Sequence, residues 1–285
     1  MEVIYEFFTL IWNIVLVYFE IIKSWFKSKE QKNLSRKVIV ITGSAHGIGK
    51  EMSIKLNRLG ARLALIDINQ NQNDELIEQL KLESPDADIV GYACDLTDGS
   101  EVDILSNIID LILCVSTHQL QYLTQIDNAG IVKCAPFNEL EPQDIRRTFD
   151  VNVFAHFWLI RHFLPSMIER RNGHIVAISS ACGLSGKGNL VDYCAAKHAV
   201  VGLMTALDCE LRLLNLDDRI QLTTICPLTI ATGMFKRPST RFSFLMPILT
   251  PIKVAQTIID MIREPDSPFL ITIPAHAYWM IMLEK

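Results

Sequence analysis

From residue 37 onward the chain alternates short aliphatic runs with stretches in which apolar positions recur every three or four residues. The runs at 37–42, 62–66, 89–93, 123–127, 173–179, 221–226 and 268–273 are mostly apolar on both faces, as strands inside a parallel sheet must be. Helical periodicity is expected between them, over 47–59, 71–82, 144–169, 192–214 and 252–263. Strands and helices in alternation predict an α/β fold, a Rossmann-type doubly wound parallel sheet forming a single domain over 37–285. No stretch remains for a separate substrate domain. Any substrate then has to be held by loops at the carboxyl ends of the strands.

The first 30 residues break this pattern. Sixteen of the twenty positions from 3 to 22 are apolar or aromatic, with Glu6, Thr9, Asn13 and Glu20 as the exceptions. That length can span a bilayer. Together with Glu2, the polar residues are spaced by four, three, four and seven, which gathers them on one narrow stripe, as in a helix lying along a membrane surface. Spanning and surface-lying geometries both fit; a third reading docks this helix on the body as core. A cleaved signal peptide fits poorly, because the first residues are acidic and no small-x-small site follows. Lys23, Lys27, Lys29, Lys32, Arg36 and Lys37 form a basic collar extending to residue 37, and such flanks face the cytosol. The expectation is an N-terminal membrane-attached helix with the body on the cytosolic side.

Composition removes several functions. A chain that is 49% hydrophobic and 21% charged folds rather than staying disordered. With 27 Lys+Arg against 32 Asp+Glu it has no basic footprint, so nucleic acid is not an expected partner. Its seven cysteines show neither a C-x-x-C pair nor zinc-like spacing, and read as reduced, mostly buried thiols with no metal site.

The chemistry concentrates in two places. The first strand runs into Gly43-Ser44-Ala45-His46-Gly47-Ile48-Gly49 and then a helix. Glycines in a strand-to-helix turn let the backbone approach a pyrophosphate, which sits at the positive end of the helix. Asp67, ending the second strand, can bind both ribose hydroxyls of an adenosine and would repel a 2′-phosphate, which favours NAD over NADP. No Lys or Arg in the loop or beside Asp67 opposes that preference. The second place is Tyr193 with Lys197, four residues apart and hence on one helix face, where an ammonium can stabilise a phenolate and lower a tyrosine pKa toward neutrality. Ser180 ends a strand at the carboxyl edge, where its hydroxyl can hold a substrate oxygen. Asn152 is a poor helix former in an apolar helical stretch, and a buried amide needs partners.

Taken together, TGSAHGIG, Asp67, Asp95 in CDL, DNAG at 127–130, Asn152, Ser180 and Tyr193 with Lys197 resemble the short-chain dehydrogenase/reductase family over residues 37–275. The apolar start, GHIV at 173–176 and KRPSTR at 236–241 are most similar to the branch of 17-beta-hydroxysteroid dehydrogenases type 11/13 and epidermal retinol dehydrogenases. The resemblance implies an enzyme that moves hydride between an alcohol and NAD. Tyr193 would be its general acid/base, Ser180 would orient the reacting oxygen, Lys197 would bind the nicotinamide ribose, and Asn152 would support a water-linked proton relay. It further implies that Asp95 and Leu96 touch the adenine, that Asn128 lines the cofactor channel, that Pro227 and Thr232 approach the carboxamide end, and that the protein forms a homodimer.

Three departures from the family pattern stand out. Asp127 replaces the first Asn of NNAG, and Gln125 takes a buried position of the same strand, which is costly unless both are paired. Residues 101–121 are longer and more apolar than the family's usual helix there. Leu228 replaces the Gly usual after Pro227 and narrows the expected nicotinamide pocket.

Met234, Phe235, Phe242, Phe244, Leu245, Met246 and Ile248 form an apolar stretch that either lids the substrate site or completes core or membrane contacts. As a lid it calls for a lipophilic small molecule: a steroid, a retinoid or a long-chain lipid alcohol. The expected location is the endoplasmic reticulum membrane or lipid droplets, with the catalytic domain facing the cytosol. The rival readings are an NADPH-dependent carbonyl reductase of the same fold and a non-catalytic membrane or droplet protein whose 123–127 strand is damaged.

Overall fold

The computed structural model describes residues 30–115, 123–235 and 246–283. Seven strands, β1 (Val38–Thr42), β2 (Arg62–Asp67), β3 (Ile89–Ala93), β4 (Leu123–Asp127), β5 (Gly173–Ile178), β6 (Ile220–Pro227) and β7 (Leu270–Ile273), make one sheet in the order β3-β2-β1-β4-β5-β6-β7. Every pairing is parallel. All seven strands lie where the aliphatic runs put them, with ends moved by at most two residues. The strand order reverses between β1 and β4, which opens a crevice at their carboxyl ends.

The helices are α1 (Gly47–Arg58), α2 (Gln70–Glu83), α3 (Gly99–Val115), α4 (Pro142–Phe149), α5 (Ala155–Arg170), α6 (Val191–Leu213), α7 (Pro251–Arg263) and α8 (Ala277–Leu283). Alternate strand residues feed two cores. Ile39 and Ile41 with Leu63 and Leu65 pack against Met52 and Leu56 of α1 and Val254 and Ile258 of α7. Val40 and Ile66 on the other face pack against Leu159 and Phe163 of α5 and Val200 and Met204 of α6. Covering both faces is why the strands read as unbroken apolar runs.

Two helices go beyond the sequence pattern. In α3, Val102, Leu105 and Ile109 are buried while Ile104 and Ile108 face outward, so apolar residues on both sides blur its period. The short helix α8 is apolar nearly throughout, with Ile281 inward and Trp279 outward. The single helix expected over 144–169 is instead α4, one wide π turn at Asp150–Phe154, and α5.

The polar residues of β4 pair with one another. Gln125 Nε2 donates to both carboxylate oxygens of Asp127, at 3.0 and 2.8 Å, and His156 of α5 lies 3.4 Å from the same carboxylate. The strand keeps full parallel register with β1 and β5. Burying these groups costs less because each compensates the other.

At the opposite, amino-terminal edge of the sheet, Leu34 is buried and the Lys32 N–H donates to the Arg263 carbonyl at 2.7 Å, which seats the incoming chain away from the crevice. The expected membrane-attached segment, the collar residues Lys23, Lys27 and Lys29, the stretch 236–241, and Phe242, Phe244 and Leu245 lie outside the described residues. Among the described residues no helix is long and apolar enough to cross a membrane.

Candidate active site

A cavity of about 1330 Å³ follows the carboxyl ends of the strands. One end is built by the turn from β1 into α1. Gly43 takes φ +61°, where a side chain would be strained, and a Cβ on Gly49 would stand 1.9 Å from the Gly43 carbonyl oxygen. Thr42 locks this turn to the end of β4, its hydroxyl oxygen accepting the N–H groups of Asn128 (3.0 Å) and Ala129 (3.1 Å). The Asn128 amide donates to the carbonyls of Thr42 and Gly43 at 2.9 and 3.1 Å. Asp67 closes the far side, its two oxygens accepting the N–H groups of Ala45 (3.0 Å) and Asn69 (2.9 Å). Asp95, Leu96, His46, Gly47 and Ile48 complete this end of the wall.

The middle of the cavity holds Ser180, Tyr193 and Lys197. Helix α6 is fixed at its start by the buried Thr148 hydroxyl, which donates to Asp192 at 2.7 Å. The adjacent Tyr193 is 5% exposed, and the Lys197 ammonium lies 5.8 Å from the centroid of its ring. Lys197 Nζ donates to the Ile178 carbonyl at 2.8 Å, and the Ser179 hydroxyl donates to the Lys197 carbonyl at 2.9 Å, tying α6 to the end of β5. Ser180 accepts the Cys182 N–H at 3.1 Å, capping a short turn at Ala181–Gly183, and its hydroxyl lines the cavity beside Tyr193.

Burial pushes the Lys197 amine down to about 8. Burial also raises the Tyr193 phenol, a rise reinforced by the Cys182 thiol and opposed by a hydrogen bond with Ser180. This differs from the sequence expectation of a phenol lowered by its lysine, because desolvation is the largest influence on the phenol in the chain alone.

Asn152 sits in the π turn, fully buried. Its amide brackets one peptide unit, accepting the Ile131 N–H at 2.9 Å and donating to the Ile131 carbonyl at 2.8 Å. A Cβ on Gly130 would meet both Asn152 Oδ1 (2.9 Å) and Lys197 Nζ (3.6 Å), so the amide and the ammonium flank the same backbone segment.

The other end of the cavity is apolar, walled by Val132, Leu190, Met234, Phe235 and Met246. The Phe235 ring stands edge-on to Tyr193, with centroids 6.2 Å apart. Leu228, the replacement after Pro227, also lines the cavity while packing into the core.

Most of the residues expected from sequence therefore meet in one cavity, including Pro227 and Thr232. Three stand behind its wall. Ser44 is buried, with its N–H on the Ile66 carbonyl (3.2 Å) and its hydroxyl on Asn73 (2.9 Å), so it supports the turn rather than facing a ligand. Gly49 supports the turn by close approach, and Asn152 acts through Ile131. Sequence reasoning missed Thr42 and Asn73, the two latches of the glycine turn, whose only signal is that they are polar residues in otherwise buried strand and helix positions.

A glycine turn at a sheet switch point, a carboxylate across from it and a buried Tyr–Lys pair facing the same cavity define a dinucleotide-binding oxidoreductase fold and site. The family model for short chain dehydrogenases matches residues 37–241, and the chain belongs to that family. It is a short-chain alcohol dehydrogenase related to retinol and steroid dehydrogenases. It is 38% identical to short-chain dehydrogenase/reductase family 16C member 6 of Bos taurus over 83% of this chain and 72% of that protein. Epidermal retinol dehydrogenase 2 of Mus musculus is 35% identical over 90% of this chain and 80% of its own length. The mouse 17-beta-hydroxysteroid dehydrogenase 13 is 32% identical over 100% of this chain and 89% of its own length. Among solved structures, a short-chain dehydrogenase/reductase from Burkholderia phymatum in complex with NAD shares the fold with a TM-score of 0.74 at 24% identity, covering 88% of this chain and 94% of its own.

Proposed function

We propose that the protein is an NAD-dependent oxidoreductase that interconverts a hydroxyl and a carbonyl on a lipophilic substrate: a steroid, a retinoid or a long-chain lipid alcohol. The observation that carries this reading is the position of Tyr193, buried between the carboxylate-closed end of the cavity and its apolar end. The relatives named for retinol and hydroxysteroids support the substrate class.

The residues present fit a dinucleotide. The turn at Gly43 and Gly49 leaves a cradle that any Cβ would fill, and the Asp67 carboxylate is held in place by two N–H groups beside it. Gly43, His46, Gly47 and Ile48 would hold the pyrophosphate, Asp67 the adenosine ribose, Asp95 and Leu96 the adenine, and Pro227 and Thr232 the carboxamide end. NAD, when bound, supplies the hydride acceptor. Tyr193 moves the proton, taking it from an alcohol oxygen or returning it to a carbonyl oxygen. Ser180 would hold that oxygen with its hydroxyl, which shares the cavity with Tyr193. Lys197 brings its positive charge near the phenol, and Asn152 keeps the Ile131 segment, and with it the space around Lys197, in register.

The amino-terminal apolar segment and basic collar support attachment to the endoplasmic reticulum or lipid droplets, with the catalytic domain on the cytosolic side. The outward Phe154 and Phe157, at the junction of the π turn and α5, favour a homodimer. The paired Gln125 and Asp127, in a strand of full register, weigh against a non-catalytic scaffold.

Titration of the full chain with NADH and NADPH tests the reading. NADH is expected to bind at least about tenfold tighter, and Asp67→Ser to narrow that gap by relieving repulsion of a 2′-phosphate. Tighter binding of NADPH overturns the role given to Asp67, and binding of neither overturns the enzyme reading.

A further inference from the structure

The charges around the cavity are sorted. Its carboxylates, Asp67 and Asp95, both belong to the adenosine end. Among the described residues, the ionisable side chains at the apolar end beyond the Tyr–Lys pair are Lys133 and Lys187 and the thiols of Cys134 and Cys182, with no carboxylate in the wall there. Lys133 is ion-paired with Asp144 of α4. Lys187 differs. It is exposed, and it stands between Gly186 and Gly188, where an added Cβ would meet nothing within 4 Å, so the loop around it is uncrowded.

The backbone of Lys187 is nevertheless held. Its carbonyl accepts the Leu190 N–H at 3.3 Å and the Cys194 thiol at 4.0 Å, which ties it to the residue after Tyr193. The neighbouring Asn189 carbonyl accepts the Ala135 N–H at 3.1 Å, joining this loop to the segment that carries Lys133 and Cys134. Burial raises the Cys182 thiol to about 11, and the Lys187 charge is the weaker of two influences that oppose that rise. Cys182 in turn stands beside Tyr193 in the same small cluster. An exposed cation on a held backbone thus lines the cavity that Tyr193 also faces.

We propose that Lys187 selects a lipophilic alcohol that carries an anionic group, such as a hydroxy fatty acid, over the neutral alcohol of the same skeleton. The apolar wall takes the hydrocarbon. The ammonium at the rim meets the carboxylate where water still solvates both, so neither charge has to be buried alone. This inference rests on the dehydrogenase reading above and adds to it which end of the substrate is recognised.

The test measures kcat/KM with NAD for hydroxy fatty acids whose hydroxyl lies at different distances from the carboxylate, each against its methyl ester, on the full chain and on Lys187→Gln and Lys187→Glu. Dividing each variant's acid-to-ester ratio by that of the wild type cancels differences in how acid and ester partition into micelles. In at least one acid–ester pair the ratio is expected to fall about fivefold in Lys187→Gln, as for a solvent-exposed charge pair, and further in Lys187→Glu. Ratios unchanged across the three proteins for every hydroxyl position, with turnover still dependent on Tyr193, overturn the role of Lys187 and leave the dehydrogenase standing. Absence of turnover for acids, esters and neutral alcohols alike overturns both.

Discussion

The two ends of the cavity are built by different means. At the dinucleotide end, side chains at the tips of strands hold backbone groups: the Thr42 hydroxyl accepts the N–H groups of Asn128 and Ala129 after β4, the Asn128 amide donates to the carbonyls of Thr42 and Gly43, and Asp67 accepts the Ala45 N–H, all at 2.9 to 3.1 Å. At the substrate end, side chains from loops supply an apolar wall. A site for an invariant cofactor gains from being fixed before binding, because no ordering cost remains. A site that sets specificity is left to loops, whose side chains can change without disturbing the sheet.

The largest effect should come where the two ends meet. Tyr193→Phe keeps the ring that packs against Phe235 but removes the proton carrier, and is expected to lower kcat roughly a thousandfold while NADH affinity changes little. Comparable turnover in this variant would mean that another group moves the proton. Because burial holds the phenol protonated in the free protein, carbonyl reduction should be favoured on the acid side, and alcohol oxidation should rise with pH as the proton is lost; stopped-flow rates in both directions check the sign.

Gly49→Ala separates the ends. A methyl group 1.9 Å from the Gly43 carbonyl has to displace the turn, and is expected to weaken NADH binding by about tenfold or more, leaving the apolar wall untouched. Fluorescence titration of NADH reads the first effect, and unaltered binding would show that the turn is not the dinucleotide cradle.

The smallest effect belongs to neither end. His174, near the amino edge of β5, is fully buried, its Nε2 2.8 Å from the Thr223 hydroxyl, and burial pushes its imidazole down to about 3. In the unfolded chain the same group takes up a proton near its usual value of about 6.5. Below that pH the unfolded state therefore binds more protons, so stability should fall as pH drops from about 6.5 toward 3. The urea midpoint of His174→Gln should vary less over that window, with NADH affinity unchanged. An equal slope in both proteins would assign the acid sensitivity elsewhere.

Several of these features are legible in the chain before any coordinates. The strands show because most are buried on both faces and so read as aliphatic runs, and the glycine turn shows because its backbone tolerates no side chain. Helix α3 does not show, since Ile104 and Ile108 remain apolar on its outer side and erase the period that marks a surface helix. The π turn at Asp150–Phe154 is equally silent, because one wider turn leaves the apolar spacing almost unchanged over a helix of this length.

The sequence by itself determined the order of the strands and the glycine turn between β1 and α1, and it singled out the Tyr193–Lys197 pair as the candidate for proton transfer, since each depends on residue type and local spacing. Only the tertiary structure decided that the Gln125 amide N–H pairs with the Asp127 carboxylate, that Asn152 holds the Ile131 backbone, and that the phenol is raised rather than lowered. Those outcomes depend on desolvation and on partners far apart in the chain, and neither quantity is written in the spacing of residues along it.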